Sequence, residues 1–251
     1  MADAVRIALV FPAVLGTYGD SGNAVVLTQR LRWRGIEAET IPVEIDQPLP
    51  DQADLYVLGG GEDSAQALAV SRLSDGALRR AADRGAPVLA VCAGFQILGE
   101  TWLDRHGSVS PGLGLIDCRT DRLAGSRAVG ELLVDADASG LGILTGYENH
   151  GGRTVLGPAA QPLGRVSAGI GNGDHDVDGA VQGSVVATYL HGPALARNPV
   201  LADHLLTQVV GELAPIDDSA ATELRAERLR AVRSAGRGLR RRQWRPPASD
   251  G

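Results

Sequence analysis

The stretch that decides the fold is Val88-Leu89-Ala90-Val91-Cys92-Ala93-Gly94-Phe95-Gln96-Ile97-Leu98-Gly99. Its uninterrupted apolar start predicts a buried strand, and its second half has the apolar spacing of a helix. Cys92 stands where the strand turns into the helix, so the stretch predicts a nucleophile elbow with cysteine in the place of serine. A thiol at the start of a helix is favoured as the thiolate. A cysteine at a strand end can also be a small buried apolar residue, so this interpretation needs support from other segments.

Strand and helix patterns alternate in the chain before the elbow. Apolar or alternating runs predict strands, and stretches with helical apolar spacing that close on Gly35 and Gly85 predict helices. The predicted strands cover residues 5–11, 36–43, 54–58 and 87–91, and the predicted helices cover 22–34 and most of 63–84. This alternation predicts an α/β fold whose parallel sheet carries helices on both faces.

The pattern changes after the elbow. Residues 107–190 contain shorter strands interrupted by glycines, which is typical of a more antiparallel half, and a last helix is predicted over 199–213. A linker is expected at 215–219, followed by an arginine-rich segment over 222–242 that is helical in its first half and then frays. The sequence therefore predicts one domain over 1–214 and a linker with an arginine-rich extension, partly helical or disordered, over 215–251.

A glycine run, Gly59-Gly60-Gly61, follows the strand predicted over 54–58. Consecutive glycines leave backbone N–H groups accessible and let a substrate approach closely. An oxyanion hole needs such donors, and the N–H of Ala93 can supply another. A structural turn and a phosphate-binding loop are the alternatives. The chain has no lysine, which the P-loop motif requires, so it cannot contain that motif.

His191 is the candidate general base. It follows an apolar run, Val185-Val186-Ala187-Thr188-Tyr189-Leu190, that predicts a strand. Active sites of open α/β sheets gather at the carboxyl ends of the strands, so we expect His191 to lie near Cys92. There it could take the thiol proton and return it to the departing nitrogen.

The remaining histidines have other expected roles. His150 lies among polar residues and glycines, and we expect it to border the substrate site without acting as the base. His106 and His204 are expected at the surface. His175 lies in the acidic segment Gly171-Asn172-Gly173-Asp174-His175-Asp176, where solvation is favoured over metal binding, so no metal site is expected.

Composition restricts the class of protein. The chain has only two cysteines, Cys92 and Cys118, which form a poor disulfide framework and favour a reducing, cytoplasmic location. The N-terminal apolar run 7–14 is too short to span a bilayer, and Asp3 argues against a signal peptide. The net charge is −6, yet residues 220–251 hold nine arginines and three acidic residues.

These segments resemble class I glutamine amidotransferases, in the branch of the cobyric acid and cobyrinate synthases, and within it the GatD-like glutaminase subunits of lipid II isoglutaminyl synthases. The resemblance extends over residues 5 to about 212. Part of this resemblance lies in the elbow, the glycine loop and His191. Its more specific parts are Tyr18-Gly19-Asp20-Ser21-Gly22-Asn23 and Glu148-Asn149-His150-Gly151-Gly152-Arg153. The fold it implies is a three-layer α/β fold with a mostly parallel central sheet.

The resemblance also implies a reaction. The chain would release ammonia from L-glutamine through a thioester on Cys92 and pass it to a MurT-like Mur ligase subunit in a heterodimer. That partner would use ATP and Mg to amidate the α-carboxyl of D-glutamate in lipid II, giving D-isoglutamine for peptidoglycan synthesis. No cofactor is then expected in this chain, and no nucleic acid partner. Lipid II would be reached through the partner, at the inner face of the membrane, with a peripheral membrane contact of this chain as a further expectation.

Substrate-binding residues follow from the same resemblance. Arg127, in the segment Ser126-Arg127-Ala128-Val129-Gly130, would bind the α-carboxylate of glutamine, for which a guanidinium is suited because it can bind both oxygens. A surface arginine without a role is the alternative. The other residues expected around the substrate are Gly60, Gly61, Ala93, Gln96 and His150.

One position departs from the pattern of many class I amidotransferases, which carry a glutamate two residues after the histidine. Pro193 occupies that position here, as in the cobyric acid branch, so another residue must orient His191. Asp20 and Glu148 are the local acidic candidates. We favour Asp20 because it follows the first strand, near the same sheet edge.

Two other functions are open at this point. The chain could be the amidotransferase part of a cobyric acid-type synthase, although such proteins usually fuse it to a synthetase domain for which this chain leaves no length. It could also be a non-catalytic scaffold that only binds a MurT-like partner. The joint presence of Cys92, His191 and the glycine loop argues against a scaffold.

Overall fold

The computed structural model describes residues 3–16, 19–104 and 106–243. The first half of the chain forms β1 (Val5–Val10), α1 (Gly22–Arg32), β2 (Ala38–Val43), β3 (Leu55–Leu58), α2 (Asp63–Leu73), α3 (Ala77–Asp83), β4 (Val88–Val91) and α4 (Ala93–Leu98). The second half forms β5 (Thr101–Leu103), β6 (Val109–Pro111), β7 (Cys118–Arg122), β8 (Ala128–Asp135), β9 (Ile143–His150), β10 (Gly152–Leu156), β11 (Gly164–Ala168), β12 (Val177–Asp178), β13 (Ala180–Gln182), β14 (Val185–Thr188), α5 (Ala194–Arg197), α6 (Pro199–Val210) and α7 (Ser219–Gln243).

The central sheet has six strands in the order β13-β14-β4-β3-β1-β2. All neighbouring strands are parallel except the edge strand β13, which pairs antiparallel with β14. Strands β3, β4 and β14 are buried along their whole length. This explains their uninterrupted apolar sequences, because a strand covered on both faces has no polar side.

Helices cover the sheet on both faces. From β1 the chain moves outward to β2, whereas from β3 it moves in the opposite direction to β4. Right-handed crossovers in opposite directions place their helices on opposite faces. Accordingly α1 contacts α5 and α6, while α2 contacts α4. The reversal between β1 and β3 is a topological switch point, where a crevice opens at the carboxyl ends of the strands.

The second half of the chain adds two smaller four-stranded sheets. One has the order β10-β7-β5-β6 and the other the order β12-β11-β8-β9, and antiparallel pairs predominate in both. The antiparallel half expected from the glycine-interrupted sequence is therefore present. Helix boundaries differ slightly from the predicted ones: Gly76, with φ +79°, divides the predicted 63–84 region into two helices.

The segment predicted as a linker has no helix or strand before Ser219, and Asp218 binds it to the domain. Arg30, only 2% exposed, donates hydrogen bonds of 2.7 to 2.8 Å to both carboxylate oxygens of Asp203 and of Asp218. Asp218 directly precedes α7, and the Arg225 side chain of that helix donates to the carbonyl oxygen of Ile143. The connection between α6 and α7 is therefore held against α1, because a buried guanidinium requires carboxylate partners.

Helix α7 is also longer than expected. Helical structure is described over Ser219–Gln243, so it extends through the second half of 222–242, where fraying was predicted. Alanine, leucine and arginine are strong helix formers, and their number outweighs the two glycines in the segment. Residues 244–251, which belong to the predicted extension, lie outside the described residues. Among the residues that are described, no helix is long and apolar enough to cross a bilayer.

Candidate active site

Cys92 occupies the turn between β4 and α4 in a strained backbone conformation. Its φ is +52° and its ψ is −106°, values that are unusual for a residue with a side chain. The turn needs small neighbours: a Cβ on Gly94 would lie 3.0 Å from both Gly59 O and Leu58 Cβ. The N–H of Gly94 donates to that same Gly59 carbonyl at 3.1 Å. The elbow is thus tied to the glycine loop, and strain of this kind is characteristic of functional sites.

His191 and Asp20 form a fully buried pair beneath Cys92. The His191 Nδ1 atom lies 2.9 Å from Asp20 Oδ2 and 3.2 Å from Oδ1, and both side chains are 0% exposed. Cys92 lies beside this pair, since a Cβ built on Gly60 would lie 2.7 Å from His191 Cε1 and 3.5 Å from Cys92 Cβ. The structure therefore brings together the three residues for which the sequence predicted a catalytic role.

The ionisation of His191 reflects these contacts. Burial alone would lower its pKa, but the hydrogen bonds and negative charges of Asp20 and Cys92 outweigh burial and raise the pKa to about 10. The imidazole is thus favoured in its protonated form. A carboxylate on one ring nitrogen also fixes the orientation of the ring.

Glu148, the other acidic candidate, lies elsewhere. Its carboxylate accepts the backbone N–H groups of Ile170 at 2.8 Å and Gly171 at 2.9 Å. Its nearest histidine is His150, whose Nε2 lies 3.5 Å from Glu148 Oε2. Glu148 therefore fixes a loop and contacts His150, and only Asp20 of the two candidates contacts His191.

Gly60 has a different position from the one predicted. Its N–H donates to Asp20 Oδ2 at 2.8 Å, so it is not directed at a substrate oxygen. A Cβ at this position would lie 2.7 Å from His191 Cε1 and 3.5 Å from Cys92 Cβ. Only glycine fits at position 60, because the His191 ring lies too close to allow a side chain. Among the described residues, no hydrogen bond uses the N–H of Gly61 or of Ala93, which remain the candidate oxyanion donors.

An open cleft of about 810 Å³ lies above Cys92 and His191. Arg127 lines it on the side of β8 and β9. Its guanidinium is held by Asn149: Nε donates to the side-chain oxygen and Nη2 to the carbonyl oxygen, both at 2.9 Å. Among the described residues, no hydrogen bond uses Nη1 or the second proton of Nη2. The sequence does not single out Asn149, because its partner lies 22 residues away along the chain.

Gln96 and His150 line the same cleft and share a buried neighbour, Tyr189. The Gln96 Nε2 donates to the Tyr189 hydroxyl at 3.1 Å, and the His150 ring stacks on the Tyr189 ring at a centroid distance of 3.8 Å. Gln66 Nε2 donates to Gln96 Oε1 at 2.5 Å. Sequence reasoning missed Gln66 and Tyr189, since one resembles an ordinary helix residue and the other an ordinary strand residue.

The remaining histidines lie where they were expected. His106 and His204 are exposed, and the His175 side chain is 88% exposed. Within the part of the chain that the structure describes, no group of three or more histidine, cysteine or acidic side chains could hold a metal ion. Tyr18, which belongs to the segment quoted with Asp20, lies outside the described residues.

Comparison with known proteins agrees with this geometry. The sequence profile of the CobB/CobQ-like glutamine amidotransferase domain matches residues 6–199. The chain is 36% identical over 196 residues to the lipid II isoglutaminyl synthase (glutamine-hydrolyzing) subunit GatD of Staphylococcus aureus (strain N315), covering 76% of this chain and 79% of that protein. It is 42% identical over 144 residues to the cobyric acid synthase of Pelotomaculum thermopropionicum, covering 52% of this chain but 27% of that protein.

Solved structures agree on the fold. A crystal structure described as a glutamine amidotransferase has a TM-score of 0.56 and 22% sequence identity, covering 81% of this chain and 98% of that chain. The α/β fold expected from the sequence is therefore confirmed. On the match over residues 6–199, the chain belongs to the family of CobB/CobQ-like glutamine amidotransferase domains.

Proposed function

We propose that this chain hydrolyses glutamine at Cys92 and supplies the ammonia for the amidation of lipid II. The observation that carries the proposal is the elbow residue Cys92 beside a buried His191–Asp20 pair, with Cys92 and His191 both lining the cleft. A thiolate paired with an imidazolium is the usual form of an activated cysteine nucleophile.

The first half of the reaction forms a thioester. The Cys92 thiolate attacks the side-chain carbonyl carbon of glutamine, and the oxygen becomes negatively charged. The N–H groups of Gly61 and Ala93 stabilise that charge, an effect typically worth about 2.7–4 kcal/mol for one oxyanion donor. The His191 imidazolium then donates its proton to the nitrogen, and ammonia leaves as the carbon–nitrogen bond breaks.

The second half releases glutamate. His191, now neutral, takes a proton from a water molecule, and the resulting hydroxide attacks the thioester carbon. The carbon–sulfur bond breaks, which regenerates the Cys92 thiolate beside the imidazolium. Asp20 keeps the ring oriented through both halves of the reaction, because its carboxylate accepts a hydrogen bond from Nδ1–H. Asp20 thus takes the role of the acidic group that Pro193 replaces.

Glutamine binding is assigned to the wall of the cleft. Arg127 binds the α-carboxylate with Nη1 and Nη2, the edge of the guanidinium that Asn149 leaves available. Gln96 and His150 border the side chain of the substrate, with Tyr189 behind both. This places the amide of glutamine toward Cys92 and its charged end toward the opening.

The lipid II assignment rests on the relative from Staphylococcus aureus, whose name states that it is the glutamine-hydrolysing subunit of a lipid II isoglutaminyl synthase. By the same reasoning, the partner of this chain is a MurT-like ligase subunit, which binds ATP and Mg and activates the D-glutamate carboxyl. The complex works in the cytoplasm at the inner face of the membrane, where its lipid-linked substrate is located. The cobyric acid alternative is less well supported, because that match covers 52% of this chain, against 76% for the relative from Staphylococcus aureus.

The test combines the chain with a co-expressed MurT-like ligase subunit. Ammonia release from glutamine is measured for the free chain and for the complex with ATP and lipid II, and amidated lipid II is detected by mass spectrometry. We expect slow hydrolysis by the free chain, no binding of ATP to it, and amidation only by the complex. Hydrolysis without amidation in the complex would refute the lipid II assignment and leave the glutaminase assignment intact.

A further inference from the structure

The short segment between β14 and His191 contacts both members of the cysteine–histidine pair. The carbonyl oxygen of Thr188, the last residue of β14, accepts the N–H of Cys92 at 2.9 Å. Three residues later, His191 forms an isolated antiparallel bridge with Tyr147, whose carbonyl accepts the His191 N–H at 2.8 Å. The path of Thr188 to Leu190 therefore determines how far the imidazole stands from the thiol.

A buried carboxylate holds this segment. The Thr188 hydroxyl donates to Asp178 Oδ2 at 2.5 Å, and the Tyr189 N–H donates to Asp178 Oδ1 at 3.2 Å. The Thr188 hydroxyl oxygen in turn accepts the N–H of Leu190 at 3.0 Å, which bends the chain toward His191. Asp178 and Thr188 are both 0% exposed.

The burial of the Asp178 carboxylate is energetically unfavourable. Burial, only partly offset by the hydrogen bonds from Thr188 and Tyr189, raises its pKa to about 7. Among the described residues it has no ion pair, although a buried carboxylate normally has a cation as its partner. An apolar residue would suit a purely structural position better, because it would avoid this desolvation cost.

We infer that Asp178 and Thr188 are positioning residues, which fix the distance between His191 and the Cys92 thiol through the backbone of Thr188–His191. The inference deepens the proposed glutaminase function and rests on it. Neither residue touches the cleft, so both act through the chain segment that they hold. A displacement of about 1 Å at a reacting group can lower a rate by about 10²-fold, which is the scale of the expected effect.

The test compares Thr188→Val, which removes the hydroxyl at nearly constant shape, with Thr188→Ser, which keeps it. Thr145→Val is the matched control, because Thr145 is also buried and its hydroxyl has no hydrogen-bond partner among the described residues. Three quantities are measured in the full chain: kcat and KM for ammonia release, the rate of Cys92 alkylation by iodoacetamide across pH, and the melting temperature.

For Thr188→Val we expect kcat to fall by about tenfold to 10²-fold with KM unchanged, and Cys92 alkylation at neutral pH to slow in parallel. Thr188→Ser should restore both rates, and Thr145→Val should leave both unchanged. If Thr188→Val does not fold, the inference is tested with Asp178→Asn instead, because this change keeps the shape of the Asp178 side chain and removes its buried charge. Unchanged kcat and alkylation in the folded variant would overturn the inference, whatever happens to the melting temperature.

The alkylation measurement tests this inference separately from the proposed function. It reports the pairing of Cys92 with His191 without any glutamine. If the wild-type chain releases no ammonia but Thr188→Val still slows alkylation, the glutaminase proposal fails and the positioning role stands.

Discussion

At the scale of single residues, the contact between Asp20 and His191 determines the range of pH in which the proposed chemistry can run. The pKa of His191 is raised from an ordinary value of 6.5 to about 10, against the effect of burial, by Asp20 and Cys92. The protonated ring is therefore present below pH 10 and is lost as the pH rises through that value. Any stability that this pKa shift contributes is likewise complete below pH 6.5 and lost toward pH 10.

The Asp20→Asn variant tests this contact. Removal of the negative charge lowers the pKa of His191, so the alkaline limb of the profile of kcat against pH should move to lower pH. The rate should also fall, by up to the 10²- to 10⁴-fold that general acid–base catalysis typically contributes. Glu148→Gln is the control, since Glu148 is as buried as Asp20 but contacts His150. If the alkaline limb does not move in Asp20→Asn, or moves equally in Glu148→Gln, the assignment of Asp20 as the partner of His191 is contradicted.

Arg127→Ala should weaken glutamine binding more than it slows the chemistry. The carboxylate contact exists in the ground state and the transition state alike, so KM should rise while kcat changes little. Hydrogen bonds to charged groups are worth about 1.5–3 kcal/mol each, which corresponds to a rise of roughly tenfold or more. Arg165→Ala, at an exposed arginine outside the cleft, is the control. An unchanged KM would exclude Arg127 from the substrate site.

At the scale of elements, the sequence predicts the strands and the elbow well because both are local patterns. The strand ends that gather Cys92 and His191 follow from parallel topology alone. By contrast, the pairing of Asp20 with His191 joins residues 171 positions apart, and the use of the Gly60 N–H by Asp20 spans 40 positions. Sequence periodicity does not reveal contacts of this kind, so the sequence favours Asp20 only by its position near the sheet edge and assigns Gly60 to the substrate.

The same limit applies to the contact at the start of α7, which the sequence does not predict. Asp218 is followed by an arginine-rich helix and resembles a linker residue, but its partner Arg30 is buried 188 positions earlier in α1. Asp218→Asn should lower the free energy of unfolding by about 1–3 kcal/mol, because Arg30 loses a charged partner. Asp217→Asn is the matched control: Asp217 is exposed and accepts the Ser219 N–H, which asparagine can also do. Equal stability of the two variants in urea unfolding would contradict the anchoring role.

At the scale of the whole molecule, charge is distributed very unevenly. Residues 220–251 carry nine arginines against three acidic residues, on a chain whose net charge is −6. The start of α7 contacts the acidic body through Arg225, so contact with the chain's own surface accounts for part of the basic segment. We propose that the arginines beyond residue 232 bind an acidic partner or an anionic membrane surface.

Deletion of residues 233–251 tests that role without removing Arg225 or Asp218. Glutamine hydrolysis should be unchanged, because the cleft lies among residues 61–191. Binding to the ligase subunit or to anionic vesicles should weaken, and its dependence on salt should decrease, since fewer charges take part. Vesicles of neutral lipid are the control. Loss of hydrolysis in the shortened chain would show instead that the end of α7 supports the active site.

The most direct test of the account is whether glutamine acylates Cys92. Wild-type chain in complex with its ligase subunit is mixed with glutamine, quenched in acid and mapped by mass spectrometry, in parallel with steady-state ammonia release. We expect a γ-glutamyl adduct on Cys92 and none on Cys118, with ammonia release abolished in Cys92→Ser and unaffected in Cys118→Ser. Cys118 is buried and its pKa is raised by burial, so it cannot substitute as nucleophile. Substantial ammonia release by a folded Cys92→Ser variant would contradict the account.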